Sequence, residues 1–246
     1  TWTSVPVDTE LNVGAYASLV TVSGNGIRIA YQDADSLDLK FTERTTGGLW
    51  TTAPLATTGT TGQLPAIAID ATDRVHVLYY EVASTTPFAR FLKYDSKAAG
   101  SAVWDGAFTI SQTGTGVDPV DGQSAALAVD GTGGVHVAYY DASLALPQLT
   151  YAFKPVGMNT FTTYKKSIND TAPVGVYPSI AVDSTGRIHV AYQDRTNLDL
   201  VYATATNYMA GAFSRTTLDG NNATAPLSNG DVGRFNAIAV SPTNEV

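Results

Sequence analysis

The chain contains no cysteine. That absence excludes disulfides and thiolate metal or catalytic sites, and it leaves the compartment open. Charge is also sparse: Asp, Glu, Lys and Arg together make up 15% of the 246 residues. The 14 Lys and Arg are outnumbered by 22 Asp and Glu, for a formal charge of −8. Nucleic-acid binding rests on clustered Lys and Arg against phosphate, so a scattered minority of cations argues against a nucleic-acid partner. No apolar run approaches the roughly 18 residues of a membrane helix, and no membrane span is expected. The first residues lack the charged-then-apolar pattern of a secretion signal, so the expectation is that a signal is absent or already removed. What is abundant is Thr, Ser, Asn and Gly. With few Lys, that is the composition of an extracellular surface, and the expected location is secreted or at the cell surface.

A repeat dominates the sequence. Gly14, Gly62, Gly122, Gly175 and Gly233 each open a copy, at spacings of 48, 60, 53 and 58 residues. Five positions on stands Leu19, Ile67, Leu127, Ile180 or Ile238. Eight positions on stands Asp70, Asp130 or Asp183, with Val22 and Ser241 in the outer copies. Fourteen on come Arg28, His76, His136 and His189; seventeen on, Tyr31, Tyr79, Tyr139 and Tyr192; nineteen on, Asp33, Glu81, Asp141 and Asp194. The clearest copy, residues 177–203, predicts strands over 179–182, 188–193 and 198–203, joined by a turn at 183–187 and a polar loop. Alternation of Ile188, Val190 and Tyr192 with His189, Ala191 and Gln193 has the period of a strand and not of a helix. Apolar residues on both faces of such short strands point to sheets covered on both sides.

Repeats of this length suit four-stranded blades, a little above the roughly 40–50 residues typical of propeller units. The fold expected is therefore all-β, a β-propeller with four complete blades and a fifth begun at Gly233, in a single domain spanning 1–246. An aromatic residue precedes each later anchor (Trp50, Trp104, Phe161, Phe213), and Trp2 has the same place at the start of the chain. Residues 1–7 are accordingly expected to form a strand closing the blade begun at Gly233, the usual way a propeller is fastened. Copy five stops at Val246, which aligns with the first residue of a second strand. The expectation is that the 246 residues are a fragment of a larger ring, or that self-association completes it.

Each chemically suggestive position also has an architectural reading. The turns Asp70-Ala-Thr-Asp-Arg, Asp130-Gly-Thr-Gly-Gly and Asp183-Ser-Thr-Gly-Arg could suggest a calcium loop or an Asp box, but Asp bonding backbone N–H groups across a turn explains them. The histidines occupy one position on three different blades and do not converge as metal ligands must. They are read as buried imidazoles with both nitrogens bonded, and the tyrosines as blade core. No metal, no cofactor and no catalytic residue is assigned. The end of the second strand is less fully explained, because four copies out of four carry an acid there. With its neighbours this position supplies the candidate ligand-binding residues Gln32, Asp33, Tyr80, Glu81, Tyr140, Asp141, Gln193 and Asp194. Carboxylates, amides and aromatic faces together are the usual lining of a sugar site; the alternative is that each acid caps its own loop.

The string Pro-Ser-Ile-Ala-Val-Asp-Ser-Thr-Gly-Arg-Ile-His-Val-Ala-Tyr from Pro178 resembles the opening of NHL-type propeller blades. It is also similar to repeats of the BNR type found in sialidase-like and polysaccharide-lyase propellers. The resemblance implies a propeller, and its lyase branch implies His and Tyr as proton-abstracting residues. Here His recurs in three copies and Tyr in four, whereas a catalytic centre is a single asymmetric constellation. Three functions follow as expectations: an extracellular carbohydrate-binding, lectin-like module with repeated sites on one face; a polysaccharide lyase or glycoside hydrolase; or an adhesive propeller that binds extracellular protein. Symmetry separates them, since lectins repeat their site residues and enzymes break the symmetry at one pocket.

Overall fold

A computed structural model describes residues 3–45, 47–83, 89–115, 124–141, 148–161, 164–168, 175–209, 212–224 and 230–246. Trp2 and the anchor Gly122 lie outside them. The architecture is all-β: among the described residues sixteen strands form four four-stranded antiparallel sheets, each a meander in chain order. The first sheet holds β1 (Val13–Val22), β2 (Gly26–Asp33), β3 (Leu39–Arg44) and β4 (Trp50–Ala56). The second holds β5 (Thr60–Ile69), β6 (Val75–Val82), β7 (Ala89–Lys97) and β8 (Phe108–Thr115). The third is β9 (Ala125–Val129), β10 (Val135–Asp141), β11 (Gln148–Lys154) and β12 (Tyr164–Ser167). The fourth is β13 (Val176–Val182), β14 (Ile188–Asp194), β15 (Asp199–Ala205) and β16 (Ser214–Asp219). Among the described residues no helix is long and apolar enough to cross a membrane.

The sheets stand side by side as propeller-type blades, with first strands adjacent: β1 against β5, β5 against β9, β9 against β13. The core lies between sheets, which is why the second strands are buried on both faces. Ala30, Leu39 and Phe41 of the first sheet meet Val75, Val77 and Tyr79 of the second. Leu78, Leu92 and Tyr94 meet Val135, Val137 and Tyr139 of the third. Ala138, Leu149 and Tyr151 meet Ile188, Val190 and Tyr192 of the fourth. On the second strand of each sheet, odd offsets from the anchor therefore point back to the preceding sheet and even offsets forward to the next. The aromatic residue near the outer strand reaches back too: Trp104 packs edge-on against Phe41, Phe161 against Tyr94 and Phe213 against Tyr151.

The anchoring glycines have two physical reasons. Gly62, Gly175 and Gly233 take φ of 78°, 95° and 85°. A Cβ on them would fall 2.8 Å from the Leu39 Cα, 2.5 Å from the Leu149 Cβ and 2.9 Å from the Leu200 Cα respectively, each on the preceding sheet's third strand. Gly14 has the same φ of 93° but nothing within 4 Å, since no sheet precedes it in these residues. Two residues after the anchor, Tyr16, Leu64, Tyr177 and Phe235 also take positive φ, between 48° and 54°. The register of the first strands β1, β5 and β13 slips there in a bulge. Bulges of this kind bend a strand and raise its twist.

The expected closure is not formed among the described residues. Neither 3–10 nor 231–246 is in a strand. Instead residues 7–10 lie against the back face of the first sheet, where Asp8 accepts a 2.6 Å bond from the Tyr31 hydroxyl and pairs with Lys40 at 3.3 Å. Copy five runs as extended chain along the fourth sheet. Asn236 donates to the Tyr177 carbonyl at 2.7 Å, and Asn244 accepts from the Ser184 backbone at 3.1 Å and its hydroxyl at 2.9 Å. Among the described residues no strand pairs with it.

The Asp turn forms as expected in all three copies, and the doubly bonded imidazole in two of them. Oδ1 of Asp70, Asp130 and Asp183 each accepts two backbone N–H groups across the turn, at 2.8–3.1 Å. Each imidazole is buried between that Asp and a tyrosine of the third strand. His136 Nε2 lies 3.0 Å from Asp130 and Nδ1 2.8 Å from the Tyr151 hydroxyl. His189 lies 3.4 Å from Asp183 and 2.7 Å from Tyr202. His76 lies 2.6 Å from Tyr94 but 3.5 Å from Asp70, too far for a good bond, and its Nε2 is otherwise unpartnered. With Nε2–H donated to a carboxylate, Nδ1 is left to accept the phenolic proton.

Candidate functional site

The eight strand-end residues divide by what they touch. Gln32 and Gln193 are buried and face forward, and each amide reaches the residue before the next anchor. Gln32 Nε2 donates to the Thr61 carbonyl at 2.6 Å, and Gln193 Nε2 to that of Val232 at 2.6 Å. A backbone bond runs beside each, from the Thr61 N–H to the Leu37 carbonyl at 2.8 Å and from Val232 to Leu198 at 2.9 Å. These amides staple one copy to the next. Asp33 and Asp194 close their own loops: Asp33 Oδ1 accepts from Asp35 and Ser36 at 3.0 and 3.2 Å, and Asp194 Oδ1 from Thr196 and Asn197 at 2.8 and 3.1 Å. Asp33 is also 3.1 Å from Lys40. Glu81 stands 3.7 Å from Lys93.

Tyr80 and Asp141 come together between the second and third sheets. The Arg90 guanidinium lies 3.8 Å over the Tyr80 ring, and the Tyr80 hydroxyl is buried without a hydrogen-bond partner. Burial pushes the Tyr80 phenol up to about 12, with Arg90 acting against the rise and Asp141 adding to it. Ser111 donates to Asp141 at 3.2 Å. Lys165, whose ammonium donates to the Ile110 carbonyl at 2.6 Å, has its pKa lowered by burial and partly restored by Asp141. Tyr80, Arg90, Ser111 and Asp141 are buried, while Lys165 reaches the surface.

A concave surface forms where the fourth sheet meets copy five. Val176, Tyr177, Gln193, Arg195, Leu198 and Arg234 line a cavity of about 160 Å³. Tyr177 is 7% exposed and forms its wall, with the Phe235 ring 4.7 Å from it and itself 80% exposed. Tyr140 packs on Val176 and Tyr177 from the third sheet. Burial raises the Tyr140 phenol, and the Arg195 guanidinium opposes that rise, which places Arg195 within electrostatic reach of it. Arg234 pairs with Asp231 at 2.7 Å. Of the eight expected residues, Gln193 lines this cavity and Tyr140 backs it, while the four acids do not line it.

Residue types at single positions of the repeat missed Arg195, Arg234 and Phe235. The signal that finds them is departure from the repeat: the position of Arg195 holds Ala34 and Val82 in the first two copies, and that of Arg234 holds Ala15, Gln63 and Val176. Among the described residues no three His, Asp or Glu converge as a metal-holding group.

No protein-family model matches the chain, and no curated protein matches it in sequence. Its structure is similar to several solved ones. An α-L-arabinofuranosidase from Fusarium graminearum superposes with a TM-score of 0.60 at 11% identity, over 89% of this chain and 70% of that one. An α-L-arabinofuranosidase from Lactobacillus brevis gives 0.54 at 11% identity, over 94% and 80%. A polysaccharide lyase, an ulvan lyase bound to GlcA(1-4)Rha3S, gives 0.54 at 11% identity, over 82% and 55%. At such identities the likeness establishes the fold and leaves the activity to the site.

Proposed function

We propose that this chain is a glycan-directed propeller domain of the hydrolase or lyase kind, acting outside the cell, with its sugar site at the cleft of Tyr177, Gln193, Arg195 and Arg234. The observation that carries the reading is that this cleft departs from the repeat. It sets the guanidiniums of Arg195 and Arg234 beside the Tyr177 wall, with the exposed ring of Phe235 packed against that wall. Sugars are held by such a pairing, with C–H faces on the ring and hydroxyls on the polar groups. Solved structures of carbohydrate-active enzymes with the same fold support it.

Binding through four equivalent sites has less behind it, because the four acids have four different settings. Asp33 and Asp194 cap loops, Glu81 faces Lys93, and Asp141 is enclosed with Ser111. Binding without turnover remains the second reading, favoured by the short reach of the cleft. The test is incubation with a panel of polysaccharides. New reducing ends without unsaturation indicate a hydrolase, unsaturated uronate ends a lyase, and retention on immobilised polysaccharide without product a binding module. No product and no retention on any polysaccharide refutes the reading.

A further inference from the structure

We infer that the ligand of this cleft is an anionic sugar, one bearing a carboxylate or a sulfate ester, and that Arg195 is the residue that selects it. The inference rests on the glycan reading above and adds the charge of the substrate. It comes from comparing two junctions built alike. Between the first and second copies, Gln32, Leu37 and Thr61 make the same three-way staple that Gln193, Leu198 and Val232 make between the fourth and fifth. Leu37 and Leu198 even share a φ of 61° and 62°. Yet the first junction carries Ala34 and Gln63 where the last carries Arg195 and Arg234. Building the junction therefore does not require cations there.

Nor do local charges account for them fully. Arg234 has Asp231, but Arg195 is exposed, and no ion pair joins it to another described residue. The nearby carboxylate of Asp194 is occupied by the Thr196 and Asn197 N–H groups and the Asn197 amide. In a chain with a net charge of −8, an anionic polysaccharide is repelled by most of the surface, so an exposed guanidinium at the cleft has a selective effect. The planar guanidinium donates two parallel bonds to a carboxylate or sulfate, which a neutral hydroxyl does not reciprocate.

The experiment is calorimetric titration of the intact chain with oligosaccharides of one length: an oligouronate, a sulfated neutral oligosaccharide and an uncharged oligosaccharide, with polyglutamate as a carboxylate polymer lacking sugar rings. The expected result is at least about tenfold tighter binding of an anionic sugar than of the uncharged one, the size of one charge-assisted hydrogen bond. Which of oligouronate and sulfated sugar binds tighter identifies the anion. Arg195→Gln removes the preference, Arg195→Lys retains part of it, and Arg187→Gln, at the opposite end of β14, leaves it unchanged. Equal binding of charged and uncharged sugars, or an Arg195→Gln chain that keeps the preference, overturns the inference and leaves the glycan reading standing. Polyglutamate binding as tightly as the sugars overturns the glycan reading instead. No binding by any of the four overturns both.

Discussion

Tyr151→Phe isolates the hydrogen bond on which the histidine positions depend. The ring is fully buried and keeps its edge-on contact with Phe213 at 5.6 Å, so phenylalanine changes little but the hydroxyl. What is lost is the 2.8 Å partner of His136 Nδ1, in an imidazole 1% exposed whose other nitrogen is held by Asp130. No water reaches the vacated acceptor, so the desolvation cost of an unsatisfied buried group applies, about 1–3 kcal/mol. In a chain of this size about 2 kcal/mol lowers the midpoint of thermal unfolding by roughly 4–8 °C. Urea unfolding followed by circular dichroism measures it, with an unchanged m-value as the sign that the fold is kept. Tyr202→Phe is the internal comparison: Tyr202 bonds His189 at 2.7 Å but is only half-buried, so water substitutes and the loss should be smaller. A Tyr151→Phe loss below about 0.5 kcal/mol, or a larger loss at Tyr202, would show that the hydroxyl is not what satisfies the imidazole.

Gly175→Ala should cost about 3 kcal/mol in urea unfolding, from a positive-φ backbone plus a clash in a packed core, whereas Gly14→Ala should cost roughly 1 kcal/mol from the backbone alone. Equal losses would contradict the close-approach reading of the anchor. His76 has its pKa lowered to about 4 by burial, so it stays neutral when folded while the unfolded chain takes up a proton. Its contribution is fully present above the unfolded value of about 6.5 and lost as pH falls toward 4, amounting to roughly 3 kcal/mol. His76→Gln should flatten that part of the stability–pH curve, and an unchanged slope refutes it. Asp33→Asn and Asp194→Asn keep an oxygen acceptor for the loop N–H groups, so each should change stability by less than about 1 kcal/mol and leave retention on polysaccharide unchanged. Lost retention would revive the repeated acidic site.

The blades were legible because their signals are local and repeated. A glycine that abuts the neighbouring sheet, an Asp that ties a turn, and alternation along Ile188–Asp194 all follow from short-range geometry. The bulge was not, since Tyr16, Leu64, Tyr177 and Phe235 share no chemistry that favours positive φ. Closure by residues 1–7 was inferred from Trp2 alone, and an aromatic residue before an anchor does not say which sheet it joins. At the site, aligning the copies selected what repeats, and what repeats proved largely to be fastening: Gln32, Gln193, Asp33 and Asp194. Arg195 and Arg234 are visible only as exceptions to the repeat, and only the fold shows that they share one cleft.

The most direct measurement is a nuclear magnetic resonance titration of the isotope-labelled chain with a glycan that it retains, following side-chain signals of arginine and glutamine and the rings of tyrosine and phenylalanine. A single glycan site at the junction of the fourth and fifth copies predicts shifts concentrated at Tyr177, Gln193, Arg195, Arg234 and Phe235, with Gln32 and Tyr80 unmoved. Comparable shifts at Gln32, Tyr80, Tyr140 and Gln193 alike would contradict it.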